Sequence, residues 1–186
     1  MSLKTKIIGT LAVSLVSLTV ASHAQDAMMS DREFEPGFYV GAVQVQRTVE
    51  ASLVDLDGDG TGFMVGYRVN PILSIEFEQQ DIEYDNATIG NFLVHDAEGE
   101  FTSLALVYRG DYGNWQPYFK LIFGDSEVSL SVTGDGETAS SSGSDSGEAF
   151  AFGFDYAVTG NFALRADYTI QSEYQDVISI GPIWHF

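Results

Sequence analysis

From residue 38 onward the chain alternates large apolar residues with small or polar ones at a period of two, and that property excludes most folds. Side chains two apart share one face of a strand, so the pattern predicts strands with one apolar face each. The clearest stretch sets Phe162, Leu164, Ala166, Tyr168 and Ile170 against Ala163, Arg165, Asp167, Thr169 and Gln171. Just before it, Phe150, Phe152, Phe154 and Tyr156 alternate with Ala149, Ala151, Gly153 and Asp155. The last segment places Ile178, Ile180, Trp184 and Phe186 on one stripe, with Ser179, Gly181 and His185 opposite. With segments 38–49, 62–69, 72–80, 101–109 and 115–124, the count is eight strands, an even number that puts both chain ends on one side. A count of ten is the alternative.

Connection lengths alternate as well. Residues 70–71, 110–114 and 158–161 are tight turns, whereas 50–60, 81–100 and 134–146 read as long acidic loops; only the last outer turn, near Glu173, is short. Short turns on one rim and long loops on the other are the pattern of a transmembrane barrel. The segment 115–133 is nearly twice the roughly 9 to 11 residues that a tilted spanning strand needs. Its apolar phase shifts after Gly124 to Val128, Leu130 and Val132. This predicts a bulge followed by a strand that projects beyond the membrane. Residues 134–146, rich in Gly, Ser and Asp, read as a flexible loop.

The first 24 residues read as a cleavable export signal: Lys4 and Lys6, then an apolar run from residue 7 to 20, then Ser22-His23-Ala24 with small residues at the two cleavage positions. That run is too short to span a bilayer, which takes about 20 apolar residues, and no later stretch is longer. Residues 25–37 form a polar leader, and 38–186 form the barrel domain. The absence of Cys excludes disulfides and thiolate metal sites. After Ala24, six basic residues stand against 27 acidic ones, a net charge of −21. Such a chain repels nucleic acid and favours cations or cationic partners.

Alternation alone does not say which face is inside. A soluble eight-stranded barrel also alternates, with its apolar face inward. Here the polar face is built from Gly62, Gly66, Ser74, Ser103, Ala105, Ala149, Ala151, Gly153, Ala163, Ser179 and Gly181, small residues suited to a crowded interior. An eight-stranded barrel is only just wide enough for its own side chains. The face carrying Phe63, Tyr67, Phe77, Tyr108, Trp115, Phe123, Phe150, Phe154, Tyr168 and Trp184 then meets lipid, with aromatic residues at the interfaces. In the inward phase lie four cations, Arg68, Arg109, Lys120 and Arg165, and four anions, Glu76, Glu78, Asp155 and Asp167. Buried charges are tolerated when paired and hydrogen-bonded, so these eight predict an ion-pair network that holds the lumen shut; a gate or proton path is the other reading.

The order Phe38-Tyr39-Val40-Gly41-Ala42, Gly66-Tyr67-Arg68-Val69-Asn70-Pro71, Gln116-Pro117-Tyr118-Phe119-Lys120, Asn161 through Tyr168, and the terminal Trp184-His185-Phe186 resembles the small outer-membrane β-barrel family related to the OmpA membrane domain. The resemblance covers nearly the whole of 38–186. It implies an all-β, eight-stranded antiparallel up-and-down transmembrane β-barrel in a Gram-negative outer membrane, with Trp184 and Phe186 read by the barrel-assembly machinery. It also implies contact with outer-membrane lipid and lipopolysaccharide, a monomer, and export with cleavage after Ala24. It implies little about activity, because this architecture serves as anchor, adhesin, narrow pore and occasionally enzyme.

The enzymatic members resemble hydrolases with His and Ser close together on the lipid-facing side. After the signal only His95 and His185 occur, neither in a His-x-Ser pairing, so no catalytic residue is assigned. Asp55-Leu56-Asp57-Gly58-Asp59-Gly60 matches the first half of a calcium loop, in which alternate carboxylates wrap the ion, but the twelfth position is Gly66 where a bidentate Glu is needed. Asp55, Asp57 and Asp59 are therefore candidates for weak Ca2+ binding, assisted by acids such as Asp85, Asp96 or Asp135, and otherwise form an acidic hairpin turn. Asn86-Ala87-Thr88 matches a glycosylation sequon, a coincidence in a bacterial setting. The sequence thus points to a non-catalytic barrel with a plugged polar lumen and a structural, surface-interaction role, with no cofactor. A narrow cation-favouring channel comes next, and a lipid-modifying enzyme third.

Overall fold

The structure is a computed structural model that describes residues 36–51, 54–110, 112–134, 137–172 and 175–186. The signal segment, the leader up to residue 35 and Asp135 lie outside the described residues. Nine strands follow in chain order: β1 Gly37–Ala51, β2 Val54–Asn70, β3 Leu73–Tyr84, β4 Ala87–Ile89, β5 Phe92–Arg109, β6 Trp115–Gly134, β7 Glu137–Ala157, β8 Phe162–Ser172 and β9 Gln175–His185. Every pairing is antiparallel. β1 pairs with both β2 and β9, and β3 pairs with β5, so β1, β2, β3, β5, β6, β7, β8 and β9 close a ring of eight. The ninth strand, β4, is a short rung that pairs with the start of β5 outside that ring. The ten-strand alternative is not what forms.

Most described residues of the three acidic segments expected to be long loops are strand. β2 already begins at Val54, β3 continues to Tyr84, and β6 and β7 pair without interruption from Trp115↔Tyr156 to Gly134↔Glu137. Asp, Gly and Ser have low strand propensity, yet paired neighbours outweigh it. The expected bulge at Gly124 is also absent, since β6 keeps its register with β7 throughout. The irregularity lies instead on β5, between His95 and Glu98, where Asp96 takes a positive φ of 50°. Asp is one of the few non-glycine residues that adopts that conformation readily.

The phase change in β6 has a different cause. Phe119, Leu121 and Phe123 point outward, and the next outward residues are Asp125, Glu127 and Ser129; on the inner face Lys120 and Ile122 are followed by Val128, Leu130 and Val132. The strand keeps its phase while its outward residues change from apolar to polar. The same switch runs round the ring through neighbouring rungs. Ala42, Phe63, Phe77, Leu104, Phe123 and Phe150 close the continuous apolar band and are followed by Gln44, Thr61, Gln79, Thr102, Asp125 and Glu148; exposed Phe92 and Leu93 stand apart near the tip of β5. Below that line the outer face is exposed Phe152, Leu104, Phe150, Tyr108, Trp115 and Trp184, an arrangement that water would penalise and hydrocarbon favours. On β6 the apolar band from Trp115 to Phe123 measures about 26 Å along the strand.

The interior has two layers. Toward the chain ends it is polar and charged, as the small inward residues foretold: Ala105, Ala149, Ala151, Ala163, Ser74 and Ser179 are all buried and leave room for longer neighbours. Toward the far rim it is apolar, with Val43, Val45, Ile82, Phe101 and Val177 in one cluster and Tyr84 and Val128 against it. Arg47 lies inside this upper layer, its guanidinium 3.4 Å from the centre of the Phe101 ring and its Nη2 donating to Gln171 at 2.7 Å.

Candidate functional site

The lower interior layer is where the sequence-predicted charges converge. Glu76 and Glu78 come from β3, Arg109 from β5, Lys120 from β6, Asp155 from β7, and Arg165 and Asp167 from β8. Each occupies an inward position of its strand, and each is buried. Register brings them level: Asp155 faces Arg165 across β7 and β8, and Glu76 faces Ala105 across β3 and β5. The small partner leaves space for the long one.

Two acids and two guanidinium groups close a cycle. Arg165 grips Asp155 with both Nε, at 2.8 Å, and Nη2, at 3.0 Å, and donates from Nη1 to Glu76 Oε1 at 2.8 Å. Arg109 donates from Nη2 to the same Glu76 oxygen at 2.9 Å and from Nη1 to Asp155 Oδ2. Planar guanidinium forks suit such multidentate bonding. Lys120 extends the cycle, with Nζ 3.2 Å from Glu76 Oε2, 3.4 Å from Glu78 Oε2 and 3.3 Å from Asp167 Oδ2. Seven of the eight predicted residues thus form one network. The eighth, Arg68, is inward but only half-buried, between Gly37 of β1 and Ser74 of β3 near the lower rim.

Neutral side chains that sequence reasoning did not assign complete the bonding. Tyr39 donates its hydroxyl proton to Glu76 Oε1 and accepts from Arg109 Nη2 at 3.0 Å. Tyr118 donates to Asp167 Oδ2 at 2.8 Å, and Ser179 donates to Asp167 Oδ1 at 2.7 Å. Ser74 accepts from Arg109 Nε at 3.2 Å, and the Met64 sulfur accepts from Arg165 Nη1 at 3.0 Å. The signal for the tyrosines was present, since Tyr39 shares the phase of Gly41 and Tyr118 that of Lys120. Gly66 makes room for Tyr39: a Cβ at that position would fall on the phenol ring. The Arg165 guanidinium lies 4.7 Å from the Tyr118 ring centre, which adds a cation–π contact.

The other candidates are not brought into a site. Asp57 and Asp59 sit in extended β2 rather than in a hairpin turn, paired in register with Thr48 and Gln46 of β1. The side chain of Asp55 lies outside the described residues, as does Asp135. Asp57 accepts a hydrogen bond from Thr48 Oγ1 at 2.9 Å. A straight strand presents alternate carboxylates in a row, whereas a calcium loop wraps them round the ion. Among the described residues no group of three His, Asp or Glu side chains is arranged to hold a metal. His95 Nδ1 bonds Asp96 at 2.7 Å and Nε2 bonds Thr133 Oγ1 at 2.9 Å, tying the β5 bulge to β6. His185 borders the lower rim against the Tyr39 ring, with centroids 5.3 Å apart. Trp184 and Phe186 are on the exposed apolar stripe.

Comparison with known proteins agrees with this architecture. No curated protein matches the sequence. Among solved structures, Neisserial surface protein A is similar with a TM-score of 0.63 at 22% identity, over 82% of this chain and all of that one. Ail, the attachment invasion locus protein of Yersinia pestis, gives 0.60 at 18% identity over the same shares, and has also been solved in complex with the heparin analogue sucrose octasulfate. The N-terminal β-barrel domain of Pseudomonas aeruginosa OprF gives 0.51 at 15% identity, again over 82% of this chain and all of that one. At these identities the likeness is one of fold. The sequence profile of the outer membrane protein β-barrel domain matches residues 10–182, nearly the whole chain, and with the closed ring, the apolar outer band and the charged interior it establishes that the protein belongs to the outer-membrane β-barrel family.

Proposed function

We propose that this protein is a non-catalytic outer-membrane barrel whose lumen is closed by its own charges and whose role is carried by the surface it lifts above the membrane. The observation that supports closure is the cycle of Arg109, Asp155, Arg165 and Glu76, which bonds side chains from four strands across the interior. A second barrier supports the same reading, because Val43, Val45, Ile82 and Phe101 are buried in one cluster in the layer above. An ion would have to displace paired charges and then pass the mainly apolar layer in which Arg47 lies. Export with cleavage after Ala24 and insertion by the barrel-assembly machinery, as a monomer, belong to this reading.

The test is conductance in planar bilayers. The purified barrel adds no channel steps, whereas steady cation-selective steps would favour the narrow channel and overturn closure. The outward surface separates this chain from a binder of sulfated saccharide such as the one Ail has been solved with. Of the described basic residues, Arg47, Arg68, Arg109, Lys120 and Arg165 all occupy inward positions, while Asp59, Asp81, Glu83, Glu98, Glu100 and Glu127 face out. Polyanions are repelled by that surface and cationic partners are drawn to it.

A further inference from the structure

The ring is not equally tall on all sides. β6 and β7 rise to Gly134 and Glu137, but β8 pairs with β7 only from Phe150 to Ala157, and the β8–β9 connection follows Ser172. Residues 137–149 of β7 are therefore bonded to β6 on one side and have no ladder partner on the other among the described residues. At an extended rise this edge is about 40 Å long. Unpaired edges of that length are usually blunted by charged side chains, above all Lys, by Pro or by a bulge. This one has no Lys, Pro or bulge and carries only the acids Glu137, Asp145 and Glu148, and its side chains from 137 to 148 are all exposed. Where β8 stops short, a recess of about 530 Å³ opens beside the edge, with Val128 and Leu130 on its floor and Ser141, Asp145 and Gln171 on its walls.

We infer that the upper edge of β7 is a docking site for an extended, basic segment of another protein, which adds as a strand in the position β8 leaves empty. Main-chain bonds supply the attraction and alternate side chains the selection, as in other cases of strand addition. The charge pattern chooses the occupant. Glu137, Asp145 and Glu148 lie on the edge strand, and Asp125 and Glu127 one strand behind it, paired with Ser146 and Ser144. Glu148, Asp125 and Glu127 take the outward phase, where no described basic side chain lies, and Glu137 and Asp145 take the inward phase. A segment with Lys or Arg at alternate positions pairs with the outward three. A second copy in the same membrane does not fit: it shares the orientation of the first, its β7 runs parallel, and in matched register Asp145 meets Asp145 and Glu148 meets Glu148.

This inference rests on the surface-interaction role proposed above and names its partner class. The test uses the full folded barrel in lipid nanodiscs and three ten-residue probes: alternating Lys and Thr, alternating Glu and Thr, and the Lys–Thr peptide N-methylated at every amide. The Lys–Thr peptide binds and slows amide hydrogen exchange within residues 137–149, and the other two bind at least about tenfold more weakly. Equal binding by the N-methylated peptide reduces the contact to charge and overturns strand addition; equal binding by the Glu–Thr peptide overturns the basic selection; protection confined to other strands overturns the location. The chain has no Cys, so Ser142→Cys provides a clean cross-linking control. Disulfide-linked dimers of that variant in native membranes would make a second copy the occupant and overturn a foreign one. Loss of peptide binding by a barrel that still does not conduct rejects the edge alone, and a conducting barrel that binds the peptide rejects lumen closure alone.

Discussion

Removing Arg165 tests the interior network most directly, because the structure identifies what it holds. Arg165→Met strips Asp155 of a two-point grip and Glu76 of one donor, in a site where all three side chains are at most 1% exposed. Breaking a buried pair by deleting one partner costs about 3 to 5 kcal/mol. Here both acids keep Arg109, and Glu76 keeps Lys120 as well, so the loss belongs at the lower end, about 3 kcal/mol. In Arg165→Met/Asp155→Asn the carboxylate that lost its two-point grip is gone. Residues sharing such a network couple by about 0.5 to 3 kcal/mol, so the double variant is more stable than the sum of the two single losses predicts, by at least about 1 kcal/mol. The assay is urea unfolding in detergent micelles, followed by the fluorescence of Trp115 and Trp184 and by the heat-dependent shift in gel mobility. Strict additivity, within about 0.5 kcal/mol, would refute the idea that these charges act as one unit.

Three further outcomes follow from other parts of the molecule. Phe152→Arg or Leu164→Arg on the outer face lowers stability by about 2 to 4 kcal/mol at mid-bilayer depth, whereas Ala151→Ser on the inner face is mild; equal tolerance in refolding yields and unfolding midpoints would contradict the lipid-facing assignment. Gly66→Ala drives a methyl group into the Tyr39 ring and costs about 1 to 3 kcal/mol by the same unfolding assay, and an unchanged midpoint would show that Tyr39 is not packed there. Calorimetric titration with Ca2+ gives matching heats for the natural barrel and a variant with Asn at 55, 57 and 59, because a strand lines its carboxylates up instead of enclosing an ion; a saturable heat lost in the variant would restore the motif as a site.

Much of the barrel was legible because a period of two reports directly on which face a residue takes. Phe152 outward and Ala151 inward needed no knowledge of partners. The interior charges were readable for the same reason, as Arg109, Lys120 and Arg165 fall in a phase otherwise made of small residues. What could not be read was pairing. Arg165 meets Glu76 across 89 positions of sequence, and only strand register selects Glu76 over other acids. The strand extensions were hidden because Asp57-Gly58-Asp59-Gly60 and the serines from 140 to 146 have loop composition, and only the ladders to neighbouring strands hold them extended. Tyr39 and Tyr118 were overlooked since aromatic residues in this chain mostly face lipid. The phase change near Gly124 is visible in the sequence, but it marks a change of solvent and not of strand geometry.

That change of solvent makes the barrel directional. Every strand that crosses the line from Phe123 to Asp125, or from Phe77 through Gln79 to Asp81, is built for hydrocarbon on one side of it and for water on the other. In the proposed orientation, with the acidic rim outside, that half crosses the bilayer once during insertion. Afterwards, sinking back would draw Asp125, Glu127, Asp81 and Glu100 into hydrocarbon, where charged side chains are costly. Rising outward would strip lipid from Phe123, Phe150 and Leu104. The two penalties oppose each other at a single height, so the collar of carboxylates acts as a ratchet tooth that lets the chain through in one direction and then fixes how far its upper wall stands above the cell.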